Sequence, residues 1–382
     1  MTFKEELEIL RGEPIQVFDG DPMDIPCIET SDAEKLCKHP VVSVHMITYN
    51  HEPYIRQAIE GVIMQKTDFA FELVIGEDCS TDKTREICFE YQKRYPDKIR
   101  VLWWHENLRK MKHPAGGNGR RNRAHCRGEF IAYCEGDDYW IDSLKLQKQI
   151  DIFRKHKSVG MCFCGAQRYK QSSRQFETWP VDFPSGIVPN MQFFLMMVDC
   201  DWWPRRTIAT ASVMFRHKHL NRIRELYDIF RWRLCLGDLT LWTALGMVSD
   251  VYFLPDVVSV YRIQSNGICG RGVNLVNRDA HIVKEYFIFK RYGVNFRKIP
   301  RAFLFSQLRN LIYAYGEKNF SKRISYTRKI LFLGIKAGVP LCFPMFSIAF
   351  LHFIGINSSL LKRVVFGFVK TTLYFNRVHF KL

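Results

Sequence analysis

The stretch Phe130-Ile131-Ala132-Tyr133-Cys134-Glu135-Gly136-Asp137-Asp138-Tyr139-Trp140 constrains this chain more than any other. It begins as an apolar, β-prone run of strand length. It then breaks at Gly136 into three acids within four residues. A buried parallel strand delivers its last residues to the carboxyl edge of its sheet, where ligand crevices form in open α/β folds. Carboxylates clustered there repel one another, so a bound cation is their natural partner. Glu135 and Asp137 can reach the same side of a turn and share a divalent metal with phosphate oxygens. A solvated acidic turn is the plain alternative; the apolar strand before it and the aromatic pair after it favour a site.

Other apolar runs repeat the theme. Val41–Ile47 reads as a buried strand that ends in Thr48-Tyr49-Asn50-His51-Glu52-Pro53. Pro53 suits the first turn of a helix, and Asn50 can cap it. Phe71–Ile75 is a second strand, followed by Glu77-Asp78-Cys79-Ser80-Thr81-Asp82, and Ile99–Trp103 a third. Tyr54, Ala58, Val62 and Ile63, and later Ile87, Tyr91 and Tyr95, recur at helical spacing. Residues 105–119 form a polar, glycine-rich loop, and 118–127 a basic helix whose Arg120, Arg121, Arg123 and Arg127 read as a solvated face. Such alternation predicts a mostly parallel sheet with right-handed crossovers. No G-x-G-x-x-G follows the first strand and no G-x-x-x-x-G-K-[ST] occurs, so a bound nucleotide is held by neither device.

Beyond Trp140 the pattern predicts a helix over 141–156, strands over 159–164, 210–215 and 251–262, and a helix within 234–247. Residues 166–205, with Pro180, Pro184, Pro189 and Pro204, read as loop. His45, Cys162, Cys164, Trp140 and Trp242 read as core residues. Asp238, following Gly237, reads first as a helix N-cap.

The net charge of +17 is uneven. Residues 284–382 hold 18 Lys and Arg against only Glu285 and Glu317, nearly the whole excess. Such a tail points to an anionic partner. Residues 337–356 carry no Lys, Arg, Asp or Glu and are long enough to span a hydrocarbon core, but Pro340 and Pro344 oppose one straight helix. The reading is a bent membrane or interfacial segment, with a buried helical hairpin close behind. A nucleic-acid-binding tail is disfavoured because its charges alternate with long apolar runs. The first ten residues lack an apolar signal core, and the 12 cysteines form no disulfide or metal-knuckle pattern; both suit a reducing, cytosolic setting. The expected organisation is an N-terminal arm over 1–39, an α/β domain over 40–272 and a basic, apolar helical region over 273–382.

Three motifs in this order resemble the inverting family-2 glycosyltransferases with the GT-A fold. They are Ile47-Thr48-Tyr49-Asn50-His51-Glu52, then Gly76-Glu77-Asp78-Cys79-Ser80-Thr81-Asp82-Lys83-Thr84, similar to that family's D-D-x-S-x-D-x-T, then Glu135-Gly136-Asp137-Asp138-Tyr139-Trp140, similar to its D-x-D motif. Gly237-Asp238-Leu239-Thr240-Leu241-Trp242 stands where the family's catalytic-base segment lies. The resemblance covers about residues 40–265. It implies that Thr48, Tyr49, Asn50 and Glu52 border the nucleotide and that Asp78 reaches the base. It implies that Asp137 binds Mg²⁺ or Mn²⁺ on the diphosphate, with Glu135 near the ribose or metal. Asp238 becomes the general base. Arg262, read from its own charge beside an acidic site, adds to phosphate binding or is a structural surface residue. Glu77 and Glu135 each stand where the family carries Asp, lengthening the arm without changing the charge.

The implied activity is transfer of a sugar from a nucleotide-diphosphate sugar, a UDP-sugar by preference, to a saccharide or lipid-linked acceptor in surface-polysaccharide synthesis. The enzyme would sit peripherally on the cytoplasmic face of the inner membrane. A catalytically degenerate homologue acting as a scaffold is the alternative suggested by the two Glu replacements.

Overall fold

The computed structural model describes residues 20–111, 114–198, 207–223 and 237–264. Its strands form one mixed sheet: β1 (Ile28–Thr30), β2 (Val42–Thr48), β3 (Phe71–Glu77), β4 (Ile99–Trp103), β5 (Phe130–Tyr133), β6 (Tyr139–Trp140), β7 (Val159–Lys170), β8 (Gln175–Thr178), β9 (Gly186–Val188), β10 (Met214–Arg216) and β11 (Asp250–Ile263). The order is β1-β4-β3-β2-β5-β10-β7-β11-β6, with β8 on β7 and β9 on β11. The block β4-β3-β2-β5 is parallel throughout. β10 joins it antiparallel, and β7 and β11 form a second parallel pair.

The parallel block follows from its residues. Every residue of β3 is buried, and so are Val42, Val44 and Met46 of β2 and all of β5. Strands buried on both faces read as continuous apolar runs, and such runs need helices on either side. Those helices are α1 (Ile55–Ile63), α2 (Thr84–Arg94), α3 (Asn118–Ala124), α4 (Lys145–Lys155), α5 (Asn190–Val198) and α6 (Gly237–Val248). Ile55, Ala58, Ile59 and Val62 of α1 and Leu146, Ile150 and Phe153 of α4 pack into the same core as the strands.

The chain runs outward from β2 to β3 and β4, then returns to place β5 on the other flank of β2. This reversal of strand order makes a crevice at the carboxyl ends of β2 and β5, the place where open α/β sheets bind ligands. Thr48–Glu52, Glu77–Asp82 and Cys134–Asp138 leave the sheet at that one edge.

Several expectations need correction. Asn50 does not cap α1; it sits in the left-handed region at φ 54° and turns its amide oxygen to the Thr81 N–H, 2.8 Å away. The basic cluster before β5 is not a solvated face. Arg121 is fully buried and donates to the carbonyls of Glu77 at 3.0 Å and Leu102 at 3.1 Å, and to Asn118 Oδ1 at 2.9 Å. Arg127 pairs with buried Glu72 at 2.6 Å, beside Arg100 at 3.2 Å and the Ser43 hydroxyl at 2.6 Å. The stretch expected as loop from residue 166 continues β7 to Lys170, turns into β8 and then forms β9 and α5. The end of β7 is half-exposed throughout and β8 is mostly exposed, so neither carries the alternation that marks a half-buried strand. The strand expected over 210–215 is instead a 3₁₀ turn at Thr210–Ser212 followed by β10. The expected N-terminal arm over 1–39 contributes β1, antiparallel to β4.

His45, Cys162, Cys164, Trp140 and Trp242 are buried, as expected of core residues. Among the described residues no helix is long and apolar enough to cross a membrane. Residues 1–19, the glycine-rich stretch over 265–272, the basic region after it and the uncharged segment 337–356 lie outside the described residues.

Candidate active site

The first two motifs lock into one another. The His51 N–H donates to Thr84 Oγ1 at 2.8 Å and the Glu52 N–H to Asp82 Oδ2 at 3.0 Å; in return Glu52 Oε2 accepts the Lys83 N–H at 3.1 Å. Asp82 thus closes the start of α2 while holding the loop that follows β2. Glu77 is buried and turned inward. It accepts the Ser80 N–H at 2.6 Å and the Arg85 Nε at 2.6 Å, so its longer arm braces its own loop.

Asp78, the next acid of this loop, is buried as well. The Leu108 N–H reaches its Oδ1 at 2.8 Å and Asn107 Nδ2 its Oδ2 at 3.2 Å. Burial outweighs these bonds and pushes its carboxyl up to about 6. The Thr48 side chain, also buried, finds no partner for its hydroxyl among the described residues. Tyr49 is half-buried and Asn50 exposed at the same edge.

The acidic turn after β5 divides its three carboxylates between two tasks. Asp138 faces inward, 1% exposed, and its Oδ1 accepts the Arg262 N–H at 2.9 Å. Asp137 faces outward. Gln264 Nε2 donates to its Oδ2 at 3.1 Å, and His51 Nε2 stands 3.9 Å from the same oxygen. Glu135 is pushed up to about 8, first by burial and then by the charges of Asp137 and Asp238. Gly136 is required here: a Cβ would stand 2.8 Å from the Thr48 side chain and 3.0 Å from His51 Nδ1.

Asp238 opens α6. Its Oδ1 accepts the Leu239 N–H at 2.7 Å and its Oδ2 the Thr210 hydroxyl at 3.3 Å. Burial raises its proton affinity above the ordinary carboxylate range. Its charge acts on Glu135, which brings the third and fourth motifs to one site although 96 residues separate them.

Among the described residues no three His, Cys, Asp or Glu side chains form a ready-made metal cluster. The pair Glu135 and Asp137 fits a different arrangement. The charge of Asp137 disfavours ionisation of Glu135, a strain that a cation relieves. Mg²⁺ in phosphate chemistry is ordinarily held by one or two carboxylates, with substrate phosphates and water completing its shell.

Arg262 sits where the sequence reading left two possibilities open, and it is neither free nor on the surface. Its guanidinium donates to the Asp137 carbonyl and to Gln57 Oε1. It stacks 4.4 Å from the Tyr139 ring and 5.1 Å from the Tyr54 ring. Residues that sequence reasoning passed over now border the site: His51, Tyr54, Gln57, Asp138, Thr210 and Gln264. His51 and Asp138 lay inside the motifs, but nothing in the sequence separated their tasks. Gln264 and Gln57 carried no signal at all.

Residues 43–224 match the profile described as glycosyl transferase family 2. TuaG of Bacillus subtilis (strain 168), described as a candidate teichuronic acid biosynthesis glycosyltransferase, is 34% identical over 267 residues, which cover 67% of this chain and 96% of TuaG. The chain belongs to glycosyl transferase family 2. An uncharacterized Mycobacterium tuberculosis protein is 31% identical over 228 residues, 59% of this chain, and the match spans 60% of that relative's length. Among solved structures, residues 1–349 of S. aureus TarS with UDP-GlcNAc align at 18% identity and a TM-score of 0.47, over 76% of this chain and 90% of that one. The sheet described above is the central, helix-flanked sheet that the family-2 resemblance implied, and the family match covers three of its four motifs.

Proposed function

We propose that this family-2 chain transfers a sugar from a nucleoside-diphosphate sugar, UDP-linked in our reading, to a saccharide or lipid-linked hydroxyl, with inversion, in building a surface polysaccharide. The observation that carries the reading is the convergence of Asp78, the Glu135/Asp137 pair and Asp238 at one sheet edge. Three of these four, Asp78, Glu135 and Asp238, have raised proton affinity, set first by burial. The similarity to TuaG, a candidate teichuronic acid biosynthesis glycosyltransferase, supports the polysaccharide setting.

Each residue has a task in this reading. Thr48, Tyr49, Asn50 and Glu52 border the nucleotide, and Asp78 meets its base. Asp137 and Glu135 would hold Mg²⁺ or Mn²⁺, which supplies charge neutralisation for the departing diphosphate. Arg262 adds positive charge within the same turn while bracing it. Asp238 takes the proton of the acceptor hydroxyl, a weak nucleophile that needs a positioned base. Attack from the side opposite the leaving group then inverts the anomeric centre. The basic region over 284–382 would hold the enzyme on an anionic, cytoplasmic membrane face where a lipid-linked acceptor is presented.

Calorimetric titration of UDP, GDP, CDP and dTDP, with and without Mn²⁺, tests the reading. Metal-dependent binding of one nucleotide is expected. A folded protein that binds none of them would overturn it and favour a scaffold.

A further inference from the structure

Residues 207–213 have little regular structure, yet their carbonyls are held from several directions. Trp179 Nε1 donates to the Thr207 carbonyl at 2.8 Å. Trp140 Nε1 donates to that of Ala211 at 2.7 Å, and Gln149 Nε2 to that of Ser212 at 2.9 Å. The Tyr133 N–H closes on that of Val213 at 3.0 Å. Within the turn, the Ser212 hydroxyl and N–H both reach the Ala209 carbonyl, at 2.7 and 2.9 Å. The anchors are fixed in turn: buried Lys145 donates to Gln149 Oε1 at 2.8 Å and lies 4.1 Å over the Trp140 ring. Buried hydrogen bonds of this kind resist rearrangement, because another arrangement strands these groups in a low-dielectric interior.

From this anchored turn Thr210, 7% exposed, sends its hydroxyl to Asp238 Oδ2. The Leu239 N–H already holds Oδ1. A carboxylate held by one N–H, as at an ordinary helix start, can still swing its second oxygen. Here both oxygens are fixed, and Oδ2 keeps a lone pair for another donor. Among the described residues, Glu135 feels the charges of both Asp238 and Asp137.

We propose that segment 207–213 is a platform for the proton-accepting carboxylate, and that Thr210 is the positioning residue that fixes how Asp238 Oδ2 meets the incoming acceptor hydroxyl. This rests on Asp238 being the base. The Thr210 hydroxyl is turned to Asp238 and not to the residues assigned to the nucleotide, so its removal is expected to act on turnover and not on donor affinity.

The test compares full-length wild type, Thr210→Val, Thr210→Ser and Asp238→Asn. Nucleoside-diphosphate release is followed from UDP-, GDP- and dTDP-sugars, with water as the acceptor, and nucleotide affinity is measured by calorimetry. Loss of a hydrogen bond to a charged group predicts that Thr210→Val lowers kcat about tenfold or more. Nucleotide affinity and Tm should stay unchanged, and Thr210→Ser should recover most of the rate. Thr210→Val turning over at the wild-type rate, or Thr210→Ser as slow as Thr210→Val, overturns the proposal while Asp238→Asn remains inactive. Asp238→Asn at the wild-type rate removes the base assignment itself, and this inference with it.

Discussion

The Asp138 carboxylate accepts the main-chain N–H of Arg262 at 2.9 Å, joining the acidic turn to the last residues of β11 across 124 positions of sequence. The Arg262 guanidinium returns the bond by donating to the Asp137 carbonyl. Two neighbouring aspartates therefore differ in kind: Asp138 ties the turn down, and Asp137 is what the turn presents.

That division predicts different outcomes at adjacent positions. Asp138→Ala leaves a buried N–H without its acceptor, which costs about 1–3 kcal/mol. The loss should appear as a lower urea midpoint, with Asp138→Asn less affected because its amide oxygen can still accept.

Asp137→Ala should leave the urea midpoint near wild type, since its side chain is partly exposed and faces the crevice. Nucleotide binding should weaken and lose its response to Mn²⁺. Calorimetry at fixed nucleotide with Mn²⁺ varied reads this directly, and an unchanged Mn²⁺ response would remove Asp137 from the metal's ligands.

Asp238→Asn should keep nucleotide binding and lose transfer by about 10²-fold or more, the usual worth of a positioned base. Binding and turnover must be measured on the same preparation. A variant that loses both would point to a structural part for Asp238 at the start of α6.

The raised affinity of Glu135 for its proton carries a stability signature. Its carboxyl is held at about 8 when folded, against 4.5 for an ordinary glutamate. Between those values the folded chain binds more protons than the unfolded one, so stability falls as pH rises through the window. Without added metal or nucleotide, urea midpoints should drop from pH 5 to pH 8, and Glu135→Gln should flatten the slope.

The charge of residues 284–382 predicts salt-sensitive binding to anionic vesicles by the full chain. Sedimentation with phosphatidylserine vesicles should be lost in high salt and absent with neutral phosphatidylcholine. Equal retention on both would exclude an electrostatic contact.

Sequence alone determined the parallel block and the acids at its carboxyl edge. Val42–Thr48, Phe71–Glu77 and Phe130–Tyr133 are mainly apolar, β-prone runs, and such runs are stable only when buried on both faces, which fixes helices around them and loops at their ends. The order of motifs along the chain points to family 2. What sequence could not separate was the work of chemically identical groups. Asp137 and Asp138 differ only in which way the turn faces them, and that depends on Arg262. Arg121 looks like a surface arginine among others until the carbonyls of Glu77 and Leu102 close around it. Thr210 meets Asp238, and Glu135 feels Asp238, only because β10 inserts between β5 and β7. Burial and hydrogen bonding between distant segments arise from packing, and neither leaves a local pattern in the chain.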